Sequence, residues 1–195
     1  MKSQVTTKRG DLGETVTIAG DCLSKSHPIL ECCGKVDTLR ARTASCRLAI
    51  IDSGRPDADE LASMLFWLLH TYFLIGAQCN DPQDKHPEYR KGEVEPRHLE
   101  KLEGYQSAIE SKLELLNAFI VGASTRPAAE ADLACTAARD LERSVVHLKE
   151  LESTFQAEHI IRFLNRLSDF LFVFARNLED GKHLTVDYDM LGEDS

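Results

Sequence analysis

Ile160, Leu164, Leu167, Leu171 and Phe174 recur in steps of four and three residues, and that spacing limits what the chain can fold into more than any other feature. It puts five large apolar side chains on one stripe of an α-helix, the seam of a packed bundle rather than the alternation of a strand. A similar stripe, Leu61, Leu65, Leu68, Tyr72 and Ile75, predicts a helix beginning near Pro56, with Asp57 and Asp59 in its first turn, where acidic side chains complement the helix dipole. Three more helices are expected from about Val36 to Ile51, from Pro96 to about Leu116 and from about Pro127 to Leu151, with the seam helix itself running from about Phe155 to Leu178. Pro at the first helical position is favoured because its missing N–H has no partner there in any case. Residues 80–95 combine two Pro, a Gly and dense charge, the chemistry of a surface loop. Residues 1–33 show no helical period, and residues 180–195 form an acidic tail expected to be poorly ordered. The expected fold is all-α: one domain over 1–195, with an irregular N-terminal segment (1–33) leading into an antiparallel five-helix bundle over 34–179.

With 195 residues, 43% of them hydrophobic, the chain can bury one substantial core. A net charge of −9 argues against a nucleic-acid partner, although local Lys and Arg can still hold an anion within a Debye length of about 8–10 Å. The longest apolar run, Leu65 to Ala77, is interrupted by His70 and reads as a buried core helix, so no membrane partner is expected. Nothing in the first residues resembles a secretion signal. The six cysteines, Cys22, Cys32, Cys33, Cys46, Cys79 and Cys135, show no paired framework, which suits reduced thiols in a cytoplasmic setting, or in a mitochondrial matrix if the chain is eukaryotic and processed.

Three segments carry chemistry. Thr7-Lys8-Arg9-Gly10-Asp11-Leu12-Gly13-Glu14-Thr15 has two glycines three apart, flanked by cations and hydroxyls. Such a turn lets backbone N–H groups approach phosphate closely, and Asp11 could face Mg²⁺. No Gly-Lys-Thr/Ser ending marks a Walker A loop, and an ordinary flexible turn is the competing reading. On the fourth helix, Arg139-Asp140-Leu141-Glu142-Arg143 is either a ligand face or a solvated face with i, i+4 pairing. On the fifth, Asn165-Arg166-Leu167-Ser168-Asp169 sets polar groups into an apolar helix, where they need partners, structural or bound. No Ser/His/Asp or Cys/His nucleophile is legible, and the seven His show no metal-ligand spacing.

Taken in order, TKxGDxGxT, then Lys25, Val36-Asp37, RxxER at Arg139–Arg143 and NRLSDxLFxxAR from Asn165 resemble the PduO-type ATP:cob(I)alamin adenosyltransferases over about residues 7–178. The resemblance implies a five-helix bundle assembled as a homotrimer, with active sites between subunits, ATP bound with Mg²⁺ and cob(I)alamin docked over it. It assigns Thr7, Lys8, Arg9, Gly10, Thr15, Val16, Lys25, Arg139, Glu142, Arg143 and Asn165 to ATP. Phe119 falls to the lower face of the corrin, and Arg139, Lys8 and Phe119 form the catalytic set. It further implies a cobalamin reductase or a B12-dependent enzyme as possible partner.

Some positions depart from the family pattern. Cys135 stands where the family has an Arg that pairs with the residue matched by Asp37, and Arg40, one turn after Asp37, is the expected compensation. Asp140 replaces a second Arg, Cys33 an aromatic, and Gly122-Ala123-Ser124 a Pro-Gly-Gly turn. The expectation is retained ATP binding with altered corrinoid handling. The second reading, resting on Cys135, is a non-catalytic corrinoid- or ATP-binding homologue acting as carrier or sensor.

Overall fold

The computed structural model describes residues 8, 10–115 and 118–192. Among them are five α-helices: α1 (Pro28–Asp52), α2 (Ala58–Asn80), α3 (Pro96–Glu110), α4 (Arg126–Leu151) and α5 (Glu158–Asn177). The all-α expectation needs one correction. Four short strands, β1 (Glu14–Val16), β2 (Cys22–Ser24), β3 (Ile120–Gly122) and β4 (Leu184–Thr185), form two antiparallel ribbons, β1–β2 and β3–β4.

The seam sits as its spacing demands: Ile160, Leu164, Leu167, Leu171 and Phe174 are fully enclosed in a core shared by all five helices. Each such burial contributes about 1.5–3 kcal/mol. The Lys35–Asp140 ion pair and the Cys46 thiol, donating to the Pro127 carbonyl at 3.6 Å, tie α1 to α4 in opposite directions. The Cys135 thiol donates to the Ser168 carbonyl at 3.2 Å and Thr125 Oγ1 to the Leu178 carbonyl at 3.1 Å, which sets α4 against α5 in the same way. Thr43 and Tyr72 join their hydroxyls at 3.2 Å between α1 and α2, and Arg166 Nε donates to Glu103 at 3.1 Å between α5 and α3.

Several boundaries differ from expectation for local reasons. α1 begins at Pro28 rather than Val36 because His27 caps it, its Nδ1 accepting from Ile29 N at 3.2 Å, with Pro28 inside the first turn. Residues 28–33 therefore belong to the helical body. Gly34 lies inside α1, tolerated at a cost near 1 kcal/mol while Cys32, Val36 and Leu39 face the core. α2 starts at Ala58, since Asp57 is held by Arg55 at 2.7 Å. α3 stops at Glu110 with Ser111 as its cap, and α5 starts at Glu158 while Phe155 is buried in the preceding turn. α2 is long and apolar enough, by length and composition alone, to cross a membrane, with mean hydropathy 1.3, a test that a core helix also passes. Here its stripe Leu61, Leu65, Leu68, Tyr72 and Ile75 faces the core. Nor is the acidic tail free: β4 pairs with β3, Thr185 opposite Ile120 and Leu184 opposite Gly122.

Candidate functional site

The Gly-rich segment folds as a turn feeding the β1–β2 hairpin. Gly13 takes a φ of 85°, a left-handed value open to glycine without a Cβ penalty. Its N–H donates to the Gly10 carbonyl at 3.2 Å, and its own carbonyl accepts from Lys25 N at 2.8 Å. Lys25 Nζ reaches across to the Gly10 carbonyl at 2.8 Å. A Cβ on residue 10 would fall 2.9 Å from that ammonium, so glycine is what lets Lys25 close on the turn. One of the three ammonium protons is used this way, and the other two have no partner among the described residues. Lys8 is exposed, Thr15 half-buried and Val16 exposed on β1. Thr7 and Arg9 lie outside the described residues.

The hairpin docks on the helices mainly through Asn80 at the end of α2. Its Oδ1 accepts from Ile18 N at 2.6 Å, and its Nδ2 donates to Cys33 Sγ at 3.1 Å. Lys85 adds an ion pair to Asp21 at 2.7 Å. Sequence reasoning placed Asn80 at the head of a loop and gave it no role. No local signal distinguishes it, because its partners are 62 and 47 residues away.

A second group lies on the α4–α5 face. Asn165 Nδ2 donates to Glu142 Oε1 at 3.4 Å, a long contact across the two helices. Arg139, one turn earlier on α4, is exposed and makes no ion pair or hydrogen bond among the described residues. Arg143 is drawn aside to Asp140 at 3.0 Å. Asp140 is also gripped by Lys35, and that hydrogen bond holds its carboxyl below the usual carboxylate range. The Asp140 replacement thus ties α4 to α1, a role the spacing along α4 did not reveal.

Cys135 is only 4% exposed, and burial pushes its thiol pKa up. Asp37 is not left unpaired by the missing Arg: Arg40 meets it at 2.9 Å, with the carboxylate side chain 67% exposed. A charge in water carries no buried desolvation cost, so losing the family's Arg leaves no buried unpaired carboxylate within this chain, and the exposed Asp37–Arg40 pair itself contributes little.

Phe119 lies just before β3 and is 76% exposed. Its carbonyl accepts from Val186 N at 2.8 Å, beside β4. Three parts of the expected site, the hairpin, the Arg139–Glu142–Asn165 face and the Phe119 ribbon, are therefore all presented at the surface. No hydrogen bond or ion pair among the described residues joins one part to another. The clefts of about 610, 460 and 260 Å³ are lined by none of Arg139, Glu142, Asn165 or Phe119.

Comparison with known proteins identifies the family. The cobalamin adenosyltransferase family model matches residues 5–178. The corrinoid adenosyltransferase PduO of Salmonella typhimurium is 29% identical over 178 residues, 91% of this chain and 50% of the relative. Human corrinoid adenosyltransferase MMAB is 27% identical over 173 residues, 89% of this chain and 68% of the relative. The chain thus spans about half the length of the PduO relative. In fold it is similar to a variant PduO-type ATP:corrinoid adenosyltransferase from Lactobacillus reuteri complexed with cobalamin and ATP, with a TM-score of 0.82, 24% identity, and coverage of 94% of this chain and 99% of that one. With a family match that runs from the Gly-rich turn to the end of α5, the chain belongs to the cobalamin adenosyltransferase family.

Proposed function

We propose that the chain transfers the 5′-deoxyadenosyl group of ATP to cob(I)alamin, forming adenosylcobalamin and releasing triphosphate. The observation that carries this reading is the exposed Arg139, without an ion pair or hydrogen bond among the described residues, standing one turn from the Glu142–Asn165 pair within the family match. Reduced cobalt is itself the nucleophile, and it attacks C5′ as the bond to the triphosphate oxygen breaks. The protein's share is then charge stabilisation and positioning. Arg139, Lys8 and the other two ammonium protons of Lys25 meet the charge that grows on the triphosphate. Glu142 and Asn165 orient ribose or adenine. Gly10, Thr15, Val16 and Arg143, with Thr7 and Arg9 of the same segment, complete the nucleotide contacts. Phe119 covers the lower corrin face and keeps water from it.

Mg²⁺ fits this site as a companion of the triphosphate. Among the described residues no cluster of three or more His, Cys, Asp or Glu could cage a metal, and Mg²⁺ commonly keeps waters and substrate phosphates as ligands. Exposed Asp11 on the turn is the carboxylate placed to meet it. When bound, the ion would neutralise phosphate charge.

The assembly belongs to the same proposal: antiparallel five-helix bundles in a homotrimer, each site shared between neighbours. Its support is that no hydrogen bond or ion pair among the described residues joins the three parts of the site within one chain. Leu48, Ile51, Phe66 and Phe73 also expose apolar surface on α1 and α2, the kind of surface that subunits cover. The cytoplasm, or a processed chain in the mitochondrial matrix, is the proposed location, with a cobalamin reductase or a B12-dependent enzyme as partner. The carrier or sensor reading loses its motive, because Asp37 already has Arg40.

The test is an anaerobic assay with ATP, Mg²⁺ and chemically reduced cobalamin, following loss of the cob(I)alamin absorbance, with sedimentation in parallel. Turnover by a trimer is expected. A folded protein that binds ATP in calorimetry yet leaves the cob(I)alamin spectrum unchanged would sink the transferase reading.

A further inference from the structure

At the end of α5 and just past it the chain buries the side chains of Arg176, Glu179 and His183. Arg176 is 2% exposed, held by Asp132 at 2.6 Å and facing Glu179 at 3.3 Å, with its Nε making no hydrogen bond among the described residues, and its guanidinium lies 5.3 Å from the Phe172 ring centroid. Glu179 is equally enclosed, and both of its oxygens are engaged. Oε1 accepts from Ser124 N at 2.7 Å, and Oε2 faces His183 Nδ1 at 2.8 Å. The His183 side chain is fully enclosed. Enclosed charges of this kind are costly unless paired and hydrogen-bonded, so the position of each group is strongly specified by the others.

The placement of the two Glu179 partners gives the network its meaning. Ser124 follows β3, and His183 immediately precedes β4. One buried carboxylate therefore grips both strands of the ribbon, at the end where β3 leaves for α4 and β4 arrives from α5. The ribbon itself is slight. β4 has two residues, the pairing is irregular between Ile120 and Gly122, and a two-stranded ribbon is marginal by itself in water. It nonetheless carries Phe119, whose carbonyl is held by Val186 N, the residue just after β4. Phe119 is 76% exposed, so it has almost no packing of its own to fix the ring. What fixes it must come through the backbone.

We propose that Glu179 and His183 are positioning residues for Phe119, and that the segment 179–186 is a strap holding the aromatic at the corrinoid face. The inference rests on the proposed corrinoid role of Phe119. Arg176 anchors the carboxylate to α4 through Asp132, the carboxylate anchors the ribbon, and the ribbon presents the ring. Sequence reasoning treated this segment as an acidic tail. The strap makes it part of the site, acting through backbone geometry without touching substrate.

The experiment uses the full chain with His183→Ala, which removes one grip from a position outside the helices, and Glu179→Gln, which keeps the shape but loses the charge. Three quantities are measured: the KM for cob(I)alamin, the KM for ATP, and hydrogen exchange of the Ile120–Gly122 amides in the free protein. A loosened ring should raise the corrinoid KM roughly tenfold while the ATP KM stays within about twofold, since misplacing a positioning group costs rate far more than fold. If the ring keeps water from the lower corrin face, the spectrum of cob(II)alamin bound with ATP should shift in parallel toward that of free cob(II)alamin in the variants, and exchange at Ile120–Gly122 should quicken. Unchanged exchange in both variants, with melting temperature intact, would refute the strap itself. Quickened exchange with an unchanged corrinoid KM and spectrum would refute the role of Phe119 while leaving the strap standing. A proportional rise in both KM values would refute a corrinoid-specific role.

Discussion

The β1–β2 hairpin and the α4–α5 face contribute to one proposed site but are held in different ways. Arg139, Glu142 and Asn165 project from helices whose inner stripes are fully enclosed, so their Cα positions are fixed by the core whether or not ligand is present. The hairpin has three-residue strands and no place in that core beyond Leu23, a partly buried residue packed against it. Its docking depends on Asn80 and the Lys85–Asp21 pair. The difference suggests a division of labour: the helices give precision, and the hairpin gives a nucleotide segment that can adjust as ATP arrives. Elements with few buried apolar contacts lie at the low end of local stability.

The largest effect is expected at the rigid side. Arg139→Ala should lower kcat by about a hundredfold or more, as removal of one oriented charge donor does. The melting temperature should hold, because the side chain is exposed and makes no ion pair or hydrogen bond among the described residues; a mutant of normal rate would remove Arg139 from the mechanism. Asn80→Ala probes the other side. Losing the acceptor for Ile18 N should undock the hairpin, raising the ATP KM roughly tenfold and opening residues 10–24 to proteolysis, at a stability cost of about 0.5–1.5 kcal/mol for this exposed bond. If ATP affinity and protease resistance both survive, the hairpin is more firmly held than its contacts indicate. Lys25→Ala should act more mildly on ATP, severalfold, by freeing the Gly10 carbonyl and withdrawing one cation.

The smallest effect concerns the tether between α1 and α4. Asp140 is held below the usual carboxylate range by Lys35, so the ionised form is favoured in the folded state. Its contribution to stability is therefore present above the unfolded carboxylate value near pH 4 and is lost as pH falls through the lower folded value. Asp140→Asn should lower the melting temperature slightly at pH 7, and the gap to the parent should close in more acid solution. A gap that stayed constant down to pH 3 would assign the effect to packing.

The helices were legible because their stripes are periodic, and the residues of α4 and α5 because their spacing is that of the family. Where reading failed, the signal was not local. The start of α1 depends on a His cap that Gly34 and the absence of an apolar period before it concealed. The strands were too short, at two or three residues, to show alternation. Cys135 promised a disrupted ion pair, but whether Asp37 is buried or solvated decides the cost, and exposure is a property of the packed chain.

The sequence by itself determined that the chain is built from amphipathic helices around one apolar core, and which polar residues ride on α4 and α5. Periodicity maps directly onto helix faces. Only the tertiary structure decided that Asn80 docks the hairpin, that Asp140 ties α4 to α1, and that the acidic tail returns through Glu179 and His183 to hold the ribbon carrying Phe119. These pairings join residues far apart in the chain. Their strength depends on desolvation and on angles that exist only after the core has formed.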